Sequence, residues 1–428
     1  MVTLIEGGNL VDPVNLTVER YDILVKNGII LKIIPPGAIR TGDRLKVIDA
    51  SGKIVAPGLI DMHTHLREPG EEYKETIATG ARAASAGGFT AVACMPNTHP
   101  PNDCRSVTEF ILKQAERAAS VRVYPIAAIT MGQKGECLTD FGDLREAGAV
   151  GVSDDGFPVA DSELMRRALE YSFYHGLIPI SHCEDRSLSR EGVMHEGAVS
   201  TRIGLPGIPG ASECIMVYRE IALAGLTGRP VHIAHVSTAA SVELIRRAKN
   251  EGIPVTAETA PHYFSLTHEA VTGYNTLAKV NPPLRTSYDV EAVRKGLTEG
   301  VIDVIATDHA PHSHLEKDVE FDKAAFGMVG FQTALPLTLQ LVREGVMSMP
   351  EAVAKLTSNS ARILGVRGGR LVEGETADLT IIDPEYAYLF EEKHIVSKSR
   401  NSPFIGMNLK GIAELTMVGG KIVWKRPV

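Results

Sequence analysis

The sequence predicts an α/β protein: a (β/α)8 (TIM) barrel with a small β-sandwich domain built from both chain ends. Eight apolar, strand-like runs alternate with amphipathic helical patterns through the middle of the chain, and several runs end in histidine or aspartate. Eight parallel strands close a barrel, whose functional residues lie at the C-terminal ends of the strands. An open, doubly wound sheet is the alternative, but no glycine-rich nucleotide loop follows the first run, so the barrel is favoured.

The predicted barrel strands follow one another at regular intervals. They cover residues 54–65, 89–96, 121–130, 149–156, 177–184, 230–237, 253–260 and 301–312. Helical patterns lie between them at 106–119, 161–176, 239–252 and 289–300, the order expected of an all-parallel sheet. A further helical run over 349–365 ends at a glycine stop.

The two chain ends differ from the middle. Both carry short strand patterns and little helix signal, and the Asn27-Gly28 and Gly419-Gly420 pairs are typical of hairpin turns. We therefore predict three segments: 1–53 as the first part of a β-domain, 54–365 as a metal-dependent catalytic barrel, and 366–428 as the second part of the β-domain.

Composition narrows the functional classes. The 428 residues carry a net charge of −8 with no Lys/Arg-rich stripe, which argues against a nucleic-acid partner. No run approaches the roughly 18 apolar residues that span a bilayer, so no membrane association is expected. The N-terminal segment lacks the pattern of a signal peptide, and the five scattered cysteines form no Cys-x-x-Cys pair. These features predict a cytoplasmic protein with reduced thiols.

The most informative residues are His63 and His65, at the end of the first predicted strand. Residues two apart on a strand point to the same face, so both imidazoles aim at one point, and imidazole is the commonest metal ligand. Two histidines that merely cap a strand are the alternative. Further candidate ligands recur at the ends of later runs: Asp154, Asp155, His182, His232, His235, Asp308, His309 and His312. That recurrence favours a metal site.

The mixture of carboxylate and imidazole suits Zn²⁺, or a related ion such as Mn²⁺ or Co²⁺. Six ligands exceed the needs of one tetrahedral site, so we predict two ions about 3.5–4 Å apart. Strand alternation lets only one of His232 and His235 face the barrel axis; His235 is the better candidate and His232 is predicted to pack outside. The same argument allows only one of Asp154 and Asp155 to bridge, and leaves open which.

The loops extend the pattern over essentially the whole chain. The relevant segments are DMHTHLREPG (61–70), ACMPNTHPP (93–101), VSDDGFPV (152–159), SHCED (181–185), AHVST (234–238), ETAPHYFSLT (258–267), KVNPPLR (279–285), ATDHAPH (306–312) and AFGMVGFQTALPL (325–337). The histidines and the aspartate at the strand ends resemble the amidohydrolase superfamily. The loop segments resemble the class I bacterial dihydroorotases within it.

The resemblance implies roles for individual residues. His63, His65 and Asp308 would hold one metal, His182 and His235 the other, and Asp155 would bridge them. Many relatives carry a carboxylated lysine after strand four, whereas VSDDG has an aspartate there. Asp308 would also transfer the proton as the catalytic residue. The implied substrate-binding residues are His65, Arg67, Asn97, Asn281, His312, Phe326 and Gly327.

The implied activity is the reversible hydrolysis of dihydroorotate to N-carbamoyl-aspartate in pyrimidine biosynthesis. A hydantoinase or allantoinase is the first alternative, but it would lack a partner for the substrate carboxylate, which Arg67 and Asn97 would provide here. A metal-free structural partner of aspartate transcarbamoylase is the second, but such a chain should have lost ligands. We expect a small-molecule substrate, two Zn²⁺ and a homo-oligomer; association with the transcarbamoylase stays open.

Overall fold

The structure, a computed structural model, describes residues 2–39 and 45–427. Within these residues, seven short strands precede the barrel. Their bounds are β1 Val2–Glu6, β2 Asn9–Asp12, β3 Thr17–Arg20, β4 Asp22–Lys26, β5 Ile29–Ile34, β6 Leu45–Asp49 and β7 Ile54–Pro57. The predicted domain bounds include residues 1, 40–44 and 428, which lie outside the described residues.

The middle of the chain forms the predicted barrel. Its strands and one small appended pair are β8 Leu59–Thr64, β9 Phe89–Cys94, β10 Arg122–Ala127, β11 Gly151–Val152, β12 Ile178–Ser181, β13 Met194–His195, β14 Gly207–Ile208, β15 Val231–Ile233, β16 Val255–Thr259 and β17 Val304–Ile305. The sheet order is β17-β16-β15-β12-β11-β10-β9-β8, and each named pair is parallel. A parallel bridge between Thr64, at the end of β8, and His309, beyond the end of β17, closes the ring.

Helices surround the barrel. They are α1 Ile77–Ala86, α2 Arg105–Ala118, α3 Phe141–Ala147, α4 Ser162–Tyr174, α5 Arg186–Ser189, α6 Ala198–Ile203, α7 Gly210–Thr227, α8 Ala239–Asn250, α9 Pro261–Ser265, α10 Ser287–Thr298, α11 His314–Lys317, α12 Phe331–Arg343, α13 Met349–Lys355 and α14 Ser358–Leu364. The four-residue spacing of Val107, Ile111 and Ala115 gives α2 one buried face. Helix α14 closes the base of the barrel, where Leu364 packs among interior residues. No helix in the described ranges is both long and apolar enough to cross a membrane.

The chain ends meet in a β-sandwich. The strands β18 Leu379–Leu389, β19 Asn408–Val418 and β20 Lys421–Lys425 complete a six-stranded sheet of order β20-β19-β18-β7-β2-β3. It faces the four-stranded sheet β5-β4-β1-β6 across a core that includes Ile5, Ile23, Val55 and Leu379. The predicted combination of barrel and end-domain sandwich is therefore confirmed.

The predicted single strand over 54–65 is in fact two strands. Strand β7 pairs antiparallel with β18 in the sandwich, and β8 pairs with β9 in the barrel. Gly58 lies between them, so close to Thr90 that a Cβ would come within 2.1 Å of that side chain. An unbroken apolar run contains no signal for a change of sheet, which explains the error. We propose Gly58 as the junction of the two domains at this end.

The connection between β18 and β19 makes a long excursion, which we call the 391–405 loop. The backbone N–H of Phe390 donates to the carbonyl of Met407 at its base, at 2.8 Å. From there the loop runs to the C-terminal ends of the barrel strands, where the N–H of Val329 donates to the carbonyl of Asn401 at 2.9 Å. A segment predicted as part of the β-domain thus reaches the face of the barrel that carries the site.

Candidate metal centre and substrate cavity

His63 and His65 extend from the end of β8 toward the barrel axis. A β-bulge between Asp61 and Thr64 inserts one extra residue opposite β9. Met62 can therefore fill the barrel interior while His63 beside it faces the site. Both histidines are buried.

The ligand-type residues form two groups that share Asp155. One consists of His63, His65 and Asp155, the other of Asp155, His182 and His235, and within each group the ligand atoms lie within 4.8 Å of one another. His63 Nε2 is 3.4 Å from Asp155 Oδ1, and among the described residues neither atom has a hydrogen-bond partner. Unpaired buried polar atoms cost free energy, and a cation between them would remove that cost. The donors of the two groups, which share Asp155, therefore fit the coordination of metal ions.

Asp308 lies beside the first group. Its Oδ1 is 3.2 Å from His65 Nε2 and 3.8 Å from His63 Nε2. Its backbone is in the left-handed region, with φ of +49°, which turns the chain sharply at the end of β17. Asp154 is engaged elsewhere: its carboxylate accepts the backbone N–H groups of Ile129 and Thr130. Of the two adjacent aspartates, the structure brings only Asp155 into the ligand groups.

Three of the four histidines are oriented by an acceptor on their other ring nitrogen. His63 Nδ1 lies 2.6 Å from Glu258 Oε1, and His65 Nδ1 lies 2.9 Å from Asn97 Oδ1. On the opposite side His182 Nε2 lies 3.1 Å from Glu184 Oε2. Such partners fix the tautomer and raise the basicity of the other ring nitrogen, the one that would face a metal.

The prediction that His232 packs outside the barrel is wrong. His232 is fully buried, and its Nε2 lies 3.3 Å from Glu258, the carboxylate that also holds His63. His235 has a left-handed φ of +35°, which interrupts the strand alternation after β15. Both histidines therefore point inward, at different depths.

Negative charge is concentrated among these groups. Burial alone would raise the pKa of Asp155, but His63, His182 and His235 hold it well below its usual range. Burial likewise opposes ionisation of Asp308, yet the hydrogen bond with His65 and the nearby histidines lower its pKa. The pKa of His182 rises to about 9 because Asp155 and Glu184 outweigh its burial. Ionised carboxylates in a buried volume attract cations.

A cavity of about 510 Å³ opens above the two groups. The predicted site residues on its wall are His65, Arg67, Asn97, Asp155, His182, His235, Asn281, Asp308, His312, Phe326 and Gly327. His63 lies beneath the cavity and is not part of its wall. The structure thus brings together all the residues predicted for metal and substrate.

Arg67 forms the cationic side of this cavity, and His312 lies against it. Arg67 Nη2 donates to His312 Nε2 at 3.1 Å, and Nε donates to the carbonyl of Pro311 at 3.2 Å. Burial and the adjacent guanidinium lower the pKa of His312, so the imidazole is neutral and can accept this bond. The nearest carboxylate is Glu71, 3.8 Å from Nη1. The guanidinium therefore keeps donors for an anionic ligand.

Comparison with known proteins identifies the family. Residues 52–241 match a family described as dihydro-orotase-like, and 215–424 match the amidohydrolase family. The dihydroorotase of Geobacter metallireducens is 54% identical over 100% of both chains. That of Pelotomaculum thermopropionicum is 56% identical over 99% of this chain and 98% of its own. The chain belongs to the dihydroorotase family.

Solved structures confirm the architecture of this dihydroorotase family member. The L-hydantoinase (dihydropyrimidinase) from Arthrobacter aurescens superposes with a TM-score of 0.88 at 25% identity, over 99% of this chain and 96% of its own. A dihydropyrimidinase from Brevibacillus agri gives 0.84 at 21% identity, over 99% and 95%. The fold is therefore shared with proteins named as hydantoinase and dihydropyrimidinase.

Three residues of this dihydroorotase family member were not predicted from the sequence. They are Glu184 and Glu258, which contact candidate ligand histidines, and Asn401, which contacts two loops of the cavity. Glu258 did carry a signal, since it is a charged residue in the otherwise apolar end of a buried strand. Asn401 carried none, because it lies in the 391–405 loop, far along the chain from the cavity residues.

Proposed function

We propose that the chain catalyses the reversible, metal-dependent hydrolysis of (S)-dihydroorotate to N-carbamoyl-L-aspartate in pyrimidine (UMP) biosynthesis. Dihydroorotate is a cyclic amide with a carboxylate. Its cleavage needs an activated water, a polarised ring carbonyl, a proton carrier and a cation for the carboxylate. The observation that supports this proposal best is the buried Arg67, with free donors, on the wall of the same cavity as the ligand groups.

We propose two Zn²⁺ ions as the cofactor. His63, His65 and Asp308 would hold one, His182 and His235 the other, and Asp155 both. When bound, two such ions lower the pKa of a water molecule between them and polarise the ring carbonyl. The unpaired nitrogen of His63 and oxygen of Asp155 support this assignment.

Asp308 is proposed as the proton carrier. Its lowered pKa leaves the carboxylate ionised and able to accept a proton from the attacking water. In the hydrolytic direction it would then donate that proton to the ring nitrogen that leaves. Asp308 lies beside His65 on the wall of the cavity, a position that supports this role.

The remaining cavity residues are proposed to bind the substrate. The planar guanidinium of Arg67 can form two parallel hydrogen bonds with a carboxylate. The side-chain amide of Asn97 hydrogen-bonds His65, and that of Asn281 hydrogen-bonds Glu184. These bonds fix the orientation of each side chain. The N–H of Gly327 donates to the carbonyl of Lys279, and its carbonyl accepts from Asn401 Nδ2. These bonds hold the backbone of Phe326 and Gly327 at the cavity wall, where we propose that it contacts the ring amides.

A hydantoinase-like activity is the competing proposal, supported by the likeness to solved hydantoinases. A site built around a charged group rejects ligands that leave its donors unpaired, so neutral cyclic amides should be poor substrates. We expect kcat/KM for dihydroorotate to exceed that for dihydrouracil or hydantoin by orders of magnitude. Equal turnover of dihydrouracil would replace the dihydroorotase proposal with the hydantoinase one.

Arg67→Lys gives the sharper test. Lysine keeps the charge but cannot form the two parallel bonds, so KM for dihydroorotate should rise at least about 10-fold, the equivalent of one lost hydrogen bond to a charged group. Arg122→Lys is the matched control, because Arg122 makes a two-pronged ion pair with Asp378 away from the cavity. An unchanged KM in Arg67→Lys would remove Arg67 from substrate binding.

We further propose a cytoplasmic homo-oligomer that acts on a small molecule, with association with aspartate transcarbamoylase left open. Sedimentation of the purified protein, alone and mixed with the transcarbamoylase, tests both points. A monomer at micromolar concentration would contradict the proposed homo-oligomer.

A further inference from the structure

The side chain of Asn401 connects two loops of the substrate cavity. Its Oδ1 accepts the backbone N–H of His312 at 3.0 Å. Its Nδ2 donates to the carbonyls of Ala310 and Gly327, both at 3.1 Å. Asn401 is only 4% exposed, and both of its N–H groups are used. One amide therefore fixes the loop after β17 to the loop before α12.

These two loops approach each other unusually closely. A Cβ at Gly327 would come within 2.7 Å of Ala310 Cβ and 3.1 Å of the His312 ring, and Gly327 has a φ of +134°. Glycine is therefore required at this contact. Since the loops touch at backbone level, a small movement of either would displace His312 directly.

His312 in turn contacts Arg67, the proposed partner of the substrate carboxylate. The imidazole accepts from the guanidinium at 3.1 Å, while its own backbone is held by Asn401. Arg67 itself has a left-handed φ of +62° and donates to the carbonyl of Pro311, in the same loop. The chain of contacts thus runs from Asn401 through residues 310–312 to the guanidinium.

The 391–405 loop has a separate attachment to the barrel. Ser399 Oγ donates to the carbonyl of Lys74 at 2.7 Å, and the N–H of Lys398 donates to Glu75 at 3.2 Å. Ser397 also bonds Glu75. None of these three bonds involves residues 310–312 or Gly327, so attachment of the loop and support of the cavity are carried by different side chains.

We propose that Asn401 is a positioning residue that sets the geometry of the carboxylate subsite through His312 and Arg67. The inference rests on the proposed function, since it assigns Arg67 to the substrate carboxylate. Displacements of about 1 Å at an active site can cost 10²-fold in rate. The effect of Asn401 should appear mainly in KM for dihydroorotate and should depend on Arg67.

The test is a double-mutant cycle of Asn401→Ala with Arg67→Lys, assayed on the full metal-loaded protein. Asn401→Ala alone should raise KM for dihydroorotate about 10-fold or more with a smaller change in kcat, and should keep the parent's metal content. In the Arg67→Lys background the same change should add less than about 2-fold, because contacting residues in one network are not additive. The proposal would be overturned if the two substitutions raised KM independently, so that their factors multiplied in the double variant. It would also be overturned if Asn401→Ala lowered kcat by as large a factor as it raised KM.

Two controls separate positioning from general destabilisation. Ser399→Ala removes an attachment of the same loop without touching the cavity and should leave KM within about 2-fold of the parent. Asn359→Ala removes a side-chain hydrogen bond to the carbonyl of Asp303, at the base of the barrel. It should also leave KM within about 2-fold of the parent. If Asn401→Ala fails to fold, the near-isosteric Asn401→Asp replaces it, because a carboxylate there would repel the carbonyls of Ala310 and Gly327. A parent without dihydroorotate turnover would refute the proposed function, whereas an active parent with an unchanged Asn401 variant refutes only this inference.

Discussion

Glu258 offers the most informative perturbation of the candidate metal centre, because it contacts the proposed ligand His63 and does not line the substrate cavity. Its two carboxylate oxygens accept from His63 Nδ1 at 2.6 Å and from His232 Nε2 at 3.3 Å. These bonds, with the charge of His63, hold the pKa of Glu258 below its usual range despite complete burial. Glu258→Gln preserves the shape but replaces one acceptor with a donor, so one of the two histidines faces an N–H.

These contacts set the expected effects of Glu258→Gln on metal affinity and on stability. If His63 moves its proton to Nε2, that nitrogen no longer has a lone pair for a metal. Loss of such an outer partner typically lowers metal affinity 10- to 100-fold, or about 1.4–2.8 kcal/mol. In the metal-free protein, loss of one hydrogen bond to a charged group should lower the free energy of unfolding by about 1.5–3 kcal/mol.

Metal titration in a chelator-buffered solution measures the metal affinity, and urea unfolding of the metal-free protein measures the free energy of unfolding. The group containing His63 and His65 should be weakened, while the group containing His182 keeps its affinity. Glu184→Gln is the reciprocal variant, since Glu184 contacts His182, and it should weaken the other group. Two metals bound by Glu258→Gln with parental affinity would refute the reasoning.

Three further predictions follow from the site and its surroundings. Purified protein should contain close to two equivalents of metal, and one tightly bound ion would contradict the shared role of Asp155. Asp308→Asn should keep much of its metal but lose at least about 10²-fold in kcat, whereas activity within a few-fold of the parent would exclude proton transfer by Asp308. Burial and Arg285 lower the pKa of His195 to about 4, so the folded state disfavours its protonation. The free energy of unfolding should then fall as the pH drops from 6.5 toward 4. Urea midpoints measured across this range should fall less steeply in His195→Gln than in the parent, whereas the exposed control His314→Gln should match the parent.

The sequence was sufficient for most of the fold and for the residues that the structure gathers into the two ligand-type groups. His63, His182 and Asp308 lie at ends of strands, where local periodicity and position already indicate direction. The failures arise where the backbone departs from regular geometry. The left-handed φ of His235 lets its imidazole face inward as His232 does, against the strand alternation, and Gly58 divides one apolar run between two sheets.

The residues missed altogether depend on contacts between distant segments. Glu258 acts on a histidine 195 positions earlier in the chain, and Asn401 acts on a loop 89 positions earlier. An asparagine in an irregular loop has no periodicity and no distinctive neighbour. Its importance comes only from two carbonyls and one N–H that the folded chain brings to it.

The division of the sandwich between both chain ends imposes an order on biosynthesis. Strand β7 ends at Pro57, and its antiparallel partner β18 begins at Leu379, so 321 residues separate the two. At translation rates of about 5–20 residues per second, the ribosome needs about 15–65 s to supply that partner. Meanwhile β7 presents an unpaired edge of the kind that recruits other chains. A nascent chain stalled before residue 379 would therefore be prone to aggregate, even with all the metal ligands already synthesised.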